Sequence, residues 1–93
     1  MNQRELVDAV AQATGANKGE AAKAVSATLD AIRDSLKRGE KVAIPGFGVF
    51  ETAHRGPRKG RNIHTGEAID VAPMTLVKFR PGKPLRDAVN AGG

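Results

Sequence analysis

The sequence predicts an α+β fold: two helices, an antiparallel sheet interrupted by an extended basic segment, and a short final helix. Two observations carry this prediction. Apolar residues recur at helical spacing up to residue 39, and they alternate along extended stretches from residue 40 onward. With 93 residues and 40% hydrophobic content, the chain has the size of one folded domain. We expect a helical part at 1–39, a sheet part at 40–81 and a final helix at 82–91.

Local capping signals delimit the first two helices. Asn2 precedes the first helix, predicted over residues 2–14, and Asn17 precedes the second. A glutamate follows each asparagine by three residues, as in a capping box. Gly15 and Gly39 supply the left-handed residues at which helices commonly end. The boundaries of both helices are therefore predicted from short stretches of sequence alone.

The second helix carries a heptad-like apolar stripe, with spacings of three and four residues. The stripe consists of Ala22, Val25, Leu29, Ile32 and Leu36. The chain has three phenylalanines, no tryptophan, no tyrosine and no cysteine, so its own core is small and no disulfide compensates. The stripe could pack within the chain or against a second copy. We expect the second arrangement and an obligate oligomer.

Alternating residues and turn signals predict three strands and the last helix. A first strand near 42–44 and a second that begins at Val49 are separated by a turn at Pro45-Gly46. A third strand is expected at 76–80. The final helix is expected from residue 83 to about residue 90, with a proline in its first turn, where a missing N–H does little harm.

Residues 53–74, which we call the arm, cannot build a core. The charged side chains in the first half of the arm are all positive, namely Arg55, Arg58, Lys59 and Arg61. The second half alternates Ile69 and Val71 with smaller or polar residues, as a strand does. Two extended halves joined by a turn around NIHTG form a two-stranded ribbon. Such a ribbon would reach roughly 30 Å from the body of the protein.

A cationic arm with an apolar tip predicts a DNA-binding element. The formal charge of +5 and the sequence pI near 10.1 favour a polyanionic partner. Arginine and lysine neutralise phosphates and enter the minor groove, while an apolar wedge such as Ile63 separates base pairs and kinks the duplex. A merely solvated run of charge is the simpler alternative, but it explains neither the projecting element nor its apolar tip.

Other classes of site are not indicated. His54 and His64 are the only histidines, and no cysteine or acidic cluster stands near them at ligand spacing, so neither a metal nor a cofactor is expected. Ser26 and Ser35 have no histidine relay, and GPRKGR lacks the pattern of a phosphate-binding loop. No long apolar run or signal peptide is present, so no membrane partner is expected.

Four motifs occur in the order and spacing of a known family. They are GFGVF at 46–50, RxxRxGRN at 55–62, TGE at 65–67 and FRPGKxLRDAVN at 79–90. Through these motifs the chain resembles, over nearly its whole length, the bacterial HU and integration host factor family of DNA-bending proteins. The resemblance implies an intertwined dimer with a helical base formed by 1–39. It further implies one three-stranded antiparallel sheet per subunit and two protruding ribbon arms.

The resemblance also implies roles for individual residues. The expected DNA contacts are Arg55, Arg58, Lys59, Arg61, Asn62, Ile63, Thr65, Lys78, Arg80, Lys83 and Arg86. The expected dimer interface and core comprise Val25, Leu29, Ile32, Leu36, Phe47, Phe50 and Phe79. Backbone N–H groups at the start of the last helix would help Lys83 to bind a phosphate.

The tip departs from the family pattern. The family usually has proline after the Asn of GRN, and this chain has Ile63. Isoleucine is itself among the side chains that act as minor-groove wedges. We therefore expect Ile63 to intercalate, while the bend angle stays open.

The predicted function is that of a non-enzymatic, histone-like architectural protein of the cytoplasmic nucleoid. It would bend, wrap and condense double-stranded DNA through the minor groove, with little sequence preference and with a preference for bent, nicked or distorted duplexes. One alternative is a site-selective subunit like integration host factor, and another is an RNA- or ribosome-associated basic protein. A basic hairpin that docks on acidic proteins or membranes is a third. A homodimer is expected, and a heterodimer with a similar chain stays open.

Overall fold

The computed structural model describes residues 1–91, with Arg58 and Val71 described by their backbone alone. Within this range lie α1 (Gln3–Thr14), α2 (Lys18–Lys37), β1 (Val42–Ile44), β2 (Gly48–Arg55), β3 (Arg58–Arg61), β4 (Ala68–Val71), β5 (Met74–Pro81) and α3 (Lys83–Ala91). The predicted α+β fold is confirmed, and each predicted helix and strand is found near its expected position.

The caps of the first two helices form as predicted. The side chains of Asn2 and Asn17 each accept a hydrogen bond from the backbone N–H three residues later, at 2.9 and 2.8 Å. Gly15 and Gly39 adopt left-handed conformations, with φ of 76° and 77°. Each helix boundary is thus fixed by the residues that the sequence indicated.

The body sheet has the strand order β1-β2-β5, and all its pairings are antiparallel. The pairing of β2 with β5 runs without interruption from Gly48 opposite Pro81 to Arg55 opposite Met74. The last strand is therefore longer than the predicted 76–80, because it pairs with β2 into the base of the arm. Residues 53–55 belong to this pairing.

The predicted two-stranded ribbon is also present, formed by β3 and β4 with Arg58 opposite Val71 and Arg61 opposite Ala68. Pairing is interrupted between the ribbon and the body sheet at Gly56-Pro57 and, on the facing side, at Ala72-Pro73. The Cα radius of gyration is 18.7 Å, against about 12 Å for a compact domain of this length. The ribbon accounts for an elongated molecule whose longest dimension is 57 Å.

The core is small. Helix α1 packs on α2, and among the described residues the buried hydrophobic side chains are Ala21 and Val25 of α2. Phe79 contacts Phe50 and Phe47, with ring centroids 4.8 and 5.5 Å apart. Phe79 is nevertheless 40% exposed, so the aromatic cluster is only partly covered within one chain. Of the predicted core and interface, Val25 is buried, Ile32, Leu36 and Phe50 are half-buried, and Leu29, Phe47 and Phe79 are exposed in the single chain.

The second glycine of GFGVF is required by a close approach of two strands. A Cβ atom on Gly48 would lie 2.6 Å from the carbonyl oxygen of Arg80 and 2.6 Å from the ring of Phe79. No side chain fits there unless the backbone of β5 or the aromatic ring moves. Gly48 thus sets how closely β5 approaches β2 and seats Phe79.

Replacing Gly48 with alanine is expected to lower the free energy of unfolding by about 1–3 kcal/mol through overpacking. Gly56→Ala is the matched control, because a Cβ there would meet nothing within 4 Å. Urea denaturation at one fixed protein concentration measures both variants. Equal stability of the two variants would show that the strands separate without cost at Gly48.

Candidate nucleic-acid interface

The register of β2 with β5 divides the body sheet into two faces. Phe50 lies opposite Phe79, and the next residue, Glu51, lies opposite Lys78. Directly opposed residues share a face, and successive residues along a strand alternate between faces. The phenylalanine face therefore carries Phe50 and Phe79. The other side, which we call the cationic face, carries Arg55, Lys78 and Arg80.

Helix α2 packs against part of the phenylalanine face. Arg33 and Leu36 of α2 line a groove of about 230 Å³ together with Thr52 and Val77, which lie on that face. Lys78 and Arg80 of the cationic face are exposed. The fold thus places the phenylalanine cluster and the exposed cations Lys78 and Arg80 on opposite sides of one thin sheet.

Among the described residues of β2 and β5, Glu51 is the one acidic residue on the cationic face. Its Oε1 lies 2.9 Å from Nε of Arg80, and its Oε2 lies 3.7 Å from Nζ of Lys41. The Glu51 side chain is only 19% exposed, whereas the Arg80 side chain is 63% exposed. Glu51 therefore neutralises part of the positive charge of the cationic face from a largely buried position, and the Arg80 guanidinium remains at the surface.

The arm carries further cations on its exposed strands. Lys59 lies opposite Asp70 in the ribbon, and its Nζ is 2.5 Å from Oδ1 of Asp70. Both side chains are highly exposed, so this pair adds little stability. Arg55 and Arg61 are exposed and form no ion pair within the described part of the chain. The predicted contact Arg58 has a side chain outside the described residues.

The tip of the arm presents Ile63 to solvent. Ile63 is 90% exposed, the highest value among the large hydrophobic residues of the described range. Asn62 and Thr65, predicted as DNA contacts, take part in the tip turn. Their side chains accept hydrogen bonds from backbone N–H groups at 2.8 and 3.3 Å. The apolar side chain thus projects from a turn that is hydrogen-bonded internally.

The last predicted contacts lie on α3. Lys83 is the first residue of this helix, and its Nζ lies 2.8 Å from Oδ2 of Asp87 one turn later. Arg86 is exposed, and within the described residues it forms no ion pair. The Gly82 N–H donates to the Phe47 carbonyl at 2.8 Å, which ties the start of the helix to the turn between β1 and β2. The structure therefore holds these cations beside the body sheet, apart from the arm.

Two other kinds of feature do not occur in residues 1–91. No helix in this range is both long enough and apolar enough to cross a membrane. No group of three or more potential metal ligands of the histidine, cysteine, aspartate or glutamate type occurs there either.

Comparisons with known proteins agree with this geometry. The bacterial DNA-binding protein family matches residues 1–90. The SPbeta prophage-derived DNA-binding protein HU 2 of Bacillus subtilis is 50% identical over 98% of this chain and 99% of its own length. DNA-binding protein HU of Geobacillus stearothermophilus is 47% identical over 96% and 99%. The chain belongs to the HU family of bacterial DNA-binding proteins. The resemblance read from the sequence motifs is confirmed.

Solved structures of the HU family share the fold. An Anabaena HU–DNA cocrystal structure superposes with a TM-score of 0.87 at 38% identity, covering 96% of this chain and 97% of that one. HU from Thermotoga maritima has a TM-score of 0.67 at 34% identity, covering 96% and 98%. Membership of this family makes the protein a DNA-binding protein and not an enzyme, as the sequence predicted.

The sequence prediction missed Glu51 and Lys41. Side-chain alternation puts Glu51 on the same face of the sheet as Arg80 once the register of β2 with β5 is known. Glu51 and Arg80 are 29 residues apart, and nothing local to either of them specifies the pairing. The ion pair of the Glu51 carboxylate with Arg80 can therefore be recognised only from the tertiary structure.

Replacing Glu51 with glutamine is expected to strengthen DNA binding severalfold at low salt, because it frees Arg80 from a competing anion without changing shape. The slope of log affinity against log salt should steepen by about 0.9, the value for one more neutralised phosphate. Fluorescence anisotropy with a labelled duplex over a salt series measures both quantities.

Glu5→Gln is the matched control, since it removes the same charge from α1 and leaves the cationic face intact. Equal gains in both variants would assign the effect to net charge alone. Weaker binding by Glu51→Gln would show instead that Glu51 orients Arg80 towards the phosphate.

Proposed function

We propose that this HU-family protein is an architectural component of the bacterial nucleoid, in the cytoplasm. It binds duplex DNA through the minor groove and bends it with little sequence preference. One observation carries the proposal: a cationic two-stranded ribbon projects from the body and ends in the apolar side chain of Ile63, 90% exposed. A tip side chain without packing partners has no role in the fold of the single chain.

The proposed mechanism assigns different roles to the body and the arm. The cationic face and the start of α3 bind phosphates and hold the duplex against the body. The arm follows the minor groove, where its arginines meet the negative potential of the phosphates. Ile63 separates one base step, at a cost of a few kcal/mol, and the resulting kink brings more DNA into contact with the cations. Binding and bending are then one process.

We further propose that the working unit is a homodimer. This proposal is supported by the small core and by apolar side chains left at the surface of one chain, among them Leu29 on the stripe of α2 and Val77 on the phenylalanine face, which are 41% and 65% exposed. A groove between α1 and α2 is lined by Leu6, Val10 and Val25 as well. A second copy would cover this surface and place a second arm on the DNA.

If dimerisation and folding are one event, the thermal unfolding midpoint should rise with protein concentration. Circular dichroism over a hundredfold range of concentration tests this expectation, with DNA absent. A midpoint that stays constant over this range, or light scattering that gives the mass of a single folded chain, would refute the dimer.

Replacing Ile63 with alanine is expected to abolish most bending while leaving the fold and most of the salt-dependent affinity unchanged, because the cations remain. End-to-end energy transfer on a short labelled duplex at saturating protein measures bending. The parent should prefer nicked or gapped DNA, which kinks more easily, and the variant should lose this preference.

Ile69→Ala is the matched control, since it removes the same side chain from β4, away from the tip. Bending by Ile63→Ala equal to that of the parent would show that the tip is not a wedge. Binding that favours structured RNA over duplex DNA at matched salt would overturn the proposed function as a whole.

A further inference from the structure

The hydrogen bonds of the arm tip converge on Asn62. Its Oδ1 accepts from the backbone N–H groups of His64 at 2.8 Å and Thr65 at 3.3 Å. Its own backbone N–H donates to the carbonyl of Glu67 at 2.8 Å, and its carbonyl accepts from the N–H of Gly66 at 2.7 Å. One residue thus closes the turn through both its side chain and its backbone.

Ile63 is not held by hydrogen bonds comparable to those of Asn62. It follows Asn62 directly and lies within the loop that these hydrogen bonds close, yet its side chain is 90% exposed. Among the described residues, its backbone N–H makes no hydrogen bond. The direction in which Ile63 projects is therefore set by the bonds of its neighbours and not by contacts of its own.

Because residue 63 is isoleucine and not proline, its direction depends more strongly on the hydrogen bonds of its neighbours. A proline would fix its own φ near −65° and would restrict the residue before it. Isoleucine imposes neither constraint, so the conformation of the turn must be held from outside residue 63. The two bonds to the Asn62 side chain hold the backbone immediately after Ile63, at residues 64 and 65, whereas the backbone bonds of Asn62 end further along the turn, at residues 66 and 67.

We infer that Asn62 is a positioning residue, which holds the tip turn so that Ile63 points into the DNA, and that this is its role in place of a direct DNA contact. The inference rests on the proposed function of Ile63 as a wedge. In this role the side-chain oxygen of Asn62 is required, because it accepts both bonds, and the amide nitrogen is not.

The test compares Asn62→Ala, Ile63→Pro and the double variant with the parent, using end-to-end energy transfer on a short duplex at saturating protein. Asn62→Ala should lower the ratio of bent to unbent complex about tenfold, the scale of two lost hydrogen bonds. In the double variant proline fixes the backbone in place of Asn62, so the ratio should return to within about threefold of Ile63→Pro alone. A double variant that bends as poorly as Asn62→Ala overturns the inference, because it would show that Asn62 acts on the DNA itself.

A measurement without DNA supplies an independent check. Amide hydrogen exchange at His64 and Thr65 should be faster in Asn62→Ala than in the parent, and close to the parent in Asn62→Asp, which keeps the acceptor oxygen. Unchanged exchange in Asn62→Ala overturns the inference. Thermal midpoints equal to that of the parent verify that these variants fold.

Ile63→Ala is measured beside these variants to distinguish two failures. If Ile63→Ala bends DNA normally, the wedge itself is refuted, and the role of Asn62 with it. If Ile63→Ala loses bending but proline does not rescue Asn62→Ala, only the positioning role is refuted.

Discussion

The eight-residue pairing of β2 with β5 is the constraint on which the rest of the structure depends. It places Phe50 opposite Phe79 and, one residue further, Glu51 opposite Lys78. Side chains alternate between the two faces of the sheet. A shift of one residue in the register of β5 would therefore move Phe79 onto the cationic face and Lys78 onto the phenylalanine face. Gly48 permits this register, since a side chain there would strike the backbone of β5. Packing and the placement of the exposed cations are thus specified by the same ladder of hydrogen bonds.

The same thin sheet explains why the chain has so little core. Helix α2 covers the phenylalanine face of this sheet only in part, since Val77 on that face is 65% exposed. The aromatic cluster around Phe79 consequently remains partly exposed in the single chain. In the proposed dimer the second copy supplies the missing cover.

Sequence reasoning succeeded where a few neighbouring residues decide the structure. Asn2 and Gly15 delimit α1 by themselves, and the basic arm was recognised from its composition. It failed where distant segments meet, because the Glu51–Arg80 ion pair depends on a register between strands 29 residues apart. The motifs assigned Asn62 to DNA by position, yet the role of its side chain in the turn depends on distances that a motif does not contain.

The junction between the ribbon and the body sheet lacks strand pairing. Gly56-Pro57 and Ala72-Pro73 face each other between the two paired regions, and neither proline can donate a hydrogen bond to a ladder. Turning the arm against the body therefore breaks no strand pairing, whereas distorting the ribbon or the tip would break several bonds. In the proposed mechanism, an internally hydrogen-bonded tip on a ribbon that is not paired at its base suits a protein that binds DNA of many sequences. In that mechanism the ribbon would adjust its direction to the groove, while the turn around Ile63 would keep the shape that a wedge requires.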